Sequence, residues 1–158
     1  MKNVNGIALV FGALVLLLAA GCGGRMPENL GVQDARLIAC PSSPNCVSSF
    51  ETDEIHSIAA IAIEGETASA WAALIEVVSG TERVEVIREE DGYLYAVYTT
   101  KLMRYRDDVE FMLDAGQGVI AVRSASRVGH GDMDANRNRI ESVRSSLAAM
   151  GVAKTASN

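Results

Sequence analysis

The chain has 158 residues, with 14 Lys and Arg against 20 Asp and Glu and a formal charge of −6. A surface that acidic repels phosphate backbones, so nucleic acid is excluded as an expected partner. The length suits one domain with a sizeable core and is too short for two comfortable ones.

Lys2 precedes an apolar and small run, Ile7–Ala20, that stops at Ala19-Ala20-Gly21-Cys22. As a helix this run reaches about 21 Å, short of the roughly 30 Å hydrocarbon core of a bilayer. A cleavable leader over residues 1–21 is therefore expected rather than a membrane span. Small residues before a cysteine give the layout of a bacterial signal whose cleavage leaves a lipid, palmitate-type chains included, on Cys22. Each buried acyl methylene contributes about 0.8 kcal/mol, so several chains hold a domain durably on a membrane. Gly23, rather than Asp, follows the cysteine. In the familiar sorting pattern this places the protein on the outer membrane, facing the periplasm. Lys2 is the leader's only charged residue, so the mature charge is −7.

Residues 22–37 carry few apolar side chains and read as a tether, followed by a single domain over 38–150. Cys40 and Cys46 bracket Pro41-Ser42-Ser43-Pro44-Asn45. In an exported chain the pair predicts a disulfide, which stabilises by about 2 kcal/mol on the loop-entropy model. Reduced thiols, or a metal site with His56 and His130, are the alternatives. Zinc asks for three or four ligands, though, and the redox dithiol motif spaces its cysteines by two residues rather than five. No metal or cofactor is expected. Val47–Asp53 reads as an ordered loop, and Ile58, Ile61 and Ile63 as a short strand or packing arm.

A helix is predicted over Ala68–Ser79, with Thr67 as its cap and Gly80 as its terminator. Trp71, Leu74, Ile75 and Val78 form its buried stripe. Val84 and Val86 alternate with charges up to Asp91-Gly92, a tight hairpin turn. Tyr93–Tyr105 is the return strand. Arg106-Asp107-Asp108 reads as a turn. Val109, Phe111 and Leu113 mark a third strand, and Val119–Val128 a fourth. A second helix runs from about Asp134 to Met150, capped by Asp132 or Asp134, with Ile140, Val143, Leu147 and Met150 buried. Residues 151–158 read as a disordered tail. The order predicts an α+β fold: an antiparallel four-stranded meander with two helices on one face, preceded by the disulfide-bearing loop.

Eleven basic residues are Arg, and seven of these lie between Arg104 and Arg144 among seven acids. On a strand, Arg123 and Arg127 face one way and Ser124 and Ser126 the other. Asn136, Arg137 and Arg139 occupy the first turns of the last helix, where free N–H groups favour anions. Guanidinium forks bind carboxylate or phosphate at two points. One reading is thus an anion-recognition patch of Arg104, Arg123, Arg127, Asn136, Arg137 and Arg139, supported by Asp107, Asp108 and His56. The other is an internal lattice, in which Asp107, Asp108 and Glu110 saturate the arginines and pin the last helix to the sheet. Asp107 and Asp108, being adjacent, would face opposite ways on a strand and do not form an acid/base dyad. His56 either contributes to a site or bridges the N-terminal loop onto the domain.

Three segments carry a resemblance: Cys40-Pro-Ser-Ser-Pro-Asn-Cys46-Val-Ser-Ser49, Asp107-Asp108-Val-Glu-Phe111, and Arg123-Ser-Ala-Ser-Arg127-Val-Gly129 followed by Asn136-Arg137-x-Arg139. Over roughly Ile38 to Leu147 the chain resembles the bacterial family called domain of unknown function 1499, as a lipoprotein-type member. His56 and Trp71 fall where the family pattern places them, while His130-Gly131-Asp132-Met133-Asp134 departs from it. The resemblance implies export or membrane association and supplies no biochemical activity. The expected function is a lipid-anchored, non-enzymatic periplasmic domain that binds a small anionic or amphipathic molecule, or an envelope protein, through its arginine-rich face. One alternative is a hydrolase using His56 or His130, although no Gly-x-Ser-x-Gly elbow is present. The other is a purely structural envelope lipoprotein.

Overall fold

A computed structural model describes residues 23–155. The leader, Cys22 and residues 156–158 lie outside these. Six strands form one antiparallel sheet: β1 (Cys46–Ser48), β2 (Ile61–Ala62), β3 (Val84–Glu90), β4 (Tyr93–Thr99), β5 (Arg106–Asp114) and β6 (Val119–Ser126). The helices are α1 (Thr67–Ser79) and α2 (Ala135–Ala149). The predicted meander is β3-β4-β5-β6, and two short strands extend it. β1 pairs with β6 at Arg123–Ala125 and β2 pairs with it at Val119–Ile120, so they share one edge. Between them the Ser49 side chain takes the place of a strand. Its hydroxyl accepts the Val122 N–H at 3.0 Å, while its own backbone N–H donates to the Val122 carbonyl at 2.9 Å.

Alternation along the strands sorts the two faces. Leu94, Ala96, Val109, Phe111, Ile120 and Val122 meet Leu74 and Val78 of α1 and Ile140, Val143 and Leu147 of α2. Burying each such large side chain contributes about 1.5–3 kcal/mol. Trp71, expected as a core anchor, packs at the margin of this cluster and stays half-buried, and Ala70 and Ala73 take the inner positions. Thr67 is the first helical residue rather than the cap, a place held by the extended Glu66. Met150 falls beyond α2 and is exposed rather than part of the buried stripe.

The opposite face carries Tyr93, Tyr95, Val97, Met112 and Ala121, and it is covered by Leu37, Leu30 and Phe50. The segment expected as a tether thus lies partly on the sheet. The end of the chain is likewise tied down as far as Lys154, whose N–H donates to the Ala62 carbonyl, and Ala153 is buried.

Two boundaries differ from expectation. The return strand ends at Thr99, because Thr100–Tyr105 folds into a loop closed by the Thr100 N–H on the Tyr105 carbonyl, with Arg104 at φ +56°. Arg106-Asp107-Asp108 is not a turn but the start of β5, with both aspartates buried. A run of charges reads as solvated turn from sequence. Here each carboxylate has a buried cationic partner, which lets it remain in the strand.

Candidate functional site

The ends of β4, β5 and β6 nearest the Thr100–Tyr105 loop gather most of the residues singled out in the sequence, though not on one surface. Asp107 and Asp108 point to opposite faces, and each organises its own network.

On the helix face, Arg139 reaches down from α2 to the Asp107 carboxylate and lies 4.9 Å from the centre of the Tyr98 ring. It also donates to the side chains of Ser124 (2.9 Å) and Asn136. The fully buried Asn136 accepts the Ser124 hydroxyl at 2.6 Å and donates its amide to the Asn45 carbonyl at 2.9 Å. Asn45 in turn donates to the Gly129 carbonyl at 2.7 Å and accepts the Ser43 hydroxyl, at 2.7 Å. The Cys40–Cys46 disulfide closes this loop, as the spacing predicts. Asp132 caps α2 through the Asn136 N–H at 2.8 Å, as the sequence allows; Asp134, at φ +60°, makes no side-chain cap.

His56 closes the chain of contacts. Its Nδ1 is 2.9 Å from Asp53 and its Nε2 is 3.2 Å from the Ser43 carbonyl, so the ring bridges the disulfide loop to the segment that follows. The His56 backbone N–H, aided by its ring, holds the Asp53 carboxyl below its ordinary value against a smaller opposing effect of burial. Arg137 donates to the Ser57 and Ile55 carbonyls at 2.8 and 3.0 Å. The motif residues on this face therefore tie loop, sheet and helix together through hydrogen bonds.

On the opposite face, Arg127 forks onto Asp108 with contacts of 2.7–3.1 Å, and the Tyr95 hydroxyl donates to the same carboxylate at 2.5 Å. Glu110, wholly buried, accepts Arg123 at 3.2 Å, the Tyr93 hydroxyl at 2.8 Å and the Gly31 N–H at 2.8 Å. Burial first, and then the adjacent Glu110 and Asp108, push the hydroxyls of Tyr93 and Tyr95 well above their usual range. Asp108 holds the Arg127 guanidinium more firmly charged. Gly24, at φ +65°, passes so close to Arg127 that an added Cβ would stand 2.5 Å from that residue's own Cβ.

Arg123 and Arg127 thus face away from Arg137 and Arg139, and Arg104 stands exposed on the loop. The six residues expected to bind a ligand are not brought to one hollow. Arg123, Arg127 and Arg139 each have a carboxylate partner, the arrangement of the internal lattice. Neither histidine shares a hydrogen bond with a serine hydroxyl among the described residues. Asp108 lies on the other face of the sheet from Ser124 and Ser126, and Asp107, which shares their face, is held by Arg139, so no Ser/His/Asp relay is assembled there among the described residues. Among the described residues no three His, Cys, Asp or Glu come close enough to hold a metal ion.

A hollow of about 730 Å³ opens at this end, between the β4–β5 loop and the β6–α2 loop. Its walls are Leu102, Met103, Val128 and Met133, and Asp107, Ser126 and Asp132 line its polar part. Sequence reasoning missed it because Leu102 and Met103 read as strand residues. Tyr93, Tyr95 and Asn45 were missed as well. The Tyr-x-Tyr spacing opposite acidic positions was the available signal for the first two.

The model of a family described as a protein of unknown function, DUF1499, matches residues 36–147. The chain belongs to this family. The match spans the sheet, α1, all but the last two residues of α2 and the disulfide loop, so it covers the DUF1499 motif residues and the network they build. No curated protein matches the chain.

Proposed function

We propose that this DUF1499 chain is an exported, lipid-anchored and non-enzymatic domain. It holds a small amphipathic molecule in the hollow at the loop end of its sheet, beside a bacterial outer membrane. The leader pattern ending at Cys22 supports the anchoring. The hollow supports the binding and is the observation that carries the reading. Its volume is that of a small-molecule site, apolar with a few converging polar groups. A ligand's apolar body would lie among Leu102, Met103, Val128 and Met133. Its polar group would meet Ser126, Asp132 or Lys101. The arginines serve this site as scaffold: Arg139 fixes Asp107 at its edge, and Arg127 braces the strand that continues into Val128.

The test is a thermal-shift screen of single-chain amphiphiles and hydrophilic anions on wild type and Ala135→Phe, which fills the hollow from the start of α2. An amphiphile at a hundred times its Kd stabilises by about 2.7 kcal/mol, and Ala135→Phe should abolish that shift. Equal shifts in both proteins, or none with any amphiphile, would refute the reading. The saturated ion pairs favour a second reading, a purely structural envelope lipoprotein, and that second result would select it.

A further inference from the structure

The β4–β5 loop runs against the charge of the whole chain. Lys101, Arg104 and Arg106 stand within a few residues of one another with no acid between them, in a chain of net charge −6. Among the described residues none of the three has a carboxylate partner. Large apolar side chains are interleaved with them and left in water: Leu102 is 88% exposed, Met103 61% and Tyr105 38%. Across the mouth of the hollow Met133 is 96% exposed. An internal core explains none of these, and their exposure carries a hydration cost.

The first described residue, Gly23, also lies at this end. Gly23 lies beside the Arg106 side chain, where an added Cβ would be 3.4 Å from Cδ, and Gly24 lies against Arg127 and Val128. A lipid carried on the preceding residue, Cys22, would therefore be tethered on the same side as the exposed tip.

We propose that the loop end is a membrane-docking surface for a bilayer with anionic headgroups. Leu102, Met103 and Met133 seat at the boundary between headgroups and acyl chains. Lys101, Arg104 and Arg106 lie against the phosphates, their stems along the apolar layer. Asp132 and Asp134 flank Met133 beside this surface and are outnumbered there by the three cations, while charges more than about 8 Å from the membrane are screened at physiological salt. This orientation turns the hollow toward the bilayer. The inference stands on the tip itself and does not rest on a ligand occupying the hollow.

The experiment is sedimentation of the chain Gly23–Asn158 with vesicles of phosphatidylcholine, with and without phosphatidylglycerol. Among the described residues the buried apolar side chains all lie between Leu37 and Ala153, within this portion. Wild type should pellet with the anionic vesicles and stay in solution with the neutral ones. Each cation near an anionic surface is worth about fivefold in affinity, and the three together on the order of a hundredfold. Lys101→Glu with Arg104→Glu should lose the preference for phosphatidylglycerol. Leu102→Ser with Met133→Ser should lose the binding that survives raised salt. These positions are exposed, so the variants keep the fold, checked by circular dichroism. Wild type failing to pellet, or pelleting no better than the charge-reversed variant, would overturn the proposal.

Discussion

Glu110 is wholly buried and accepts hydrogen bonds from three different residues, and replacing it tests how the open face of the sheet is held. In Glu110→Ala the Arg123 guanidinium keeps its burial and loses its counter-charge. Its Nε already has no hydrogen-bond partner among the described residues. Stranding one member of a buried pair costs about 3–5 kcal/mol. The Gly31 N–H and Tyr93 hydroxyl lose their acceptor too, at about 1–3 kcal/mol each where water does not replace it. The total is about 5–11 kcal/mol where neither donor finds water and about 3–5 where both do, in either case a large part of the stability of a domain this size. Glu110→Met combined with Arg123→Met removes both charges and refills the space. Only the two orphaned donors then remain, at about 2–6 kcal/mol together where water does not replace the acceptor. Urea unfolding followed by Trp71 fluorescence measures the cycle. Freeing Gly31 should also release the segment before Leu37, read as faster tryptic cleavage at Arg25 and Arg36. A Glu110→Ala loss below about 1 kcal/mol, or a double variant as costly as the two single ones summed, would show that the pair is not structurally coupled.

The Tyr98 hydroxyl is buried with no hydrogen-bond partner among the described residues, so Tyr98→Phe should be neutral or stabilising by up to about 1 kcal/mol; a clear loss in urea midpoint would contradict this. Tyr93, Tyr95 and Tyr98 are all harder to ionise folded than unfolded, mainly through burial. Their contribution is therefore intact below the unfolded value of 10.0 and lost as pH rises above it, by up to about 1.4 kcal/mol per tyrosine for each pH unit. Urea midpoints should fall steeply above about pH 10, and Tyr93→Phe with Tyr95→Phe should flatten the slope. Reducing the Cys40–Cys46 bridge should cost about 2 kcal/mol, read as a Tm lowered by several degrees, and should mobilise Asn45 and the Val128–Gly129 backbone that it holds. An unchanged Tm under reductant would mean that the Asn45 and His56 contacts alone fix the loop.

What was legible in the sequence was whatever local periodicity could report. Leu74 and Val78, and likewise Ile140, Val143 and Leu147, repeat at helical spacing, and Asp91-Gly92 makes a turn whose neighbours fix its register. The alternation of Val109, Phe111 and Leu113 correctly gave their shared face. What was not legible depended on partners distant in sequence. Asp107 stays in a strand only because Arg139, on the last helix, comes down to meet it, and Asp108 only because Arg127 and Tyr95 converge on it. β1 and β2 are too short to show a period, and they are strands only because β6 offers them an edge. The hollow was hidden for a related reason. Leu102, Met103 and Tyr105 continue the apolar run of the return strand, yet Arg104 takes a left-handed backbone and the Thr100–Tyr105 bond closes the loop before the strand can continue. The same locality explains how the arginines divide. Those on β6 and α2 are spent on carboxylates and carbonyls that fix the scaffold. The three cations of the β4–β5 tip sit where no acid reaches them among the described residues. Charge that is paired inside the fold holds its shape, and charge left unpaired at one end gives the fold a direction.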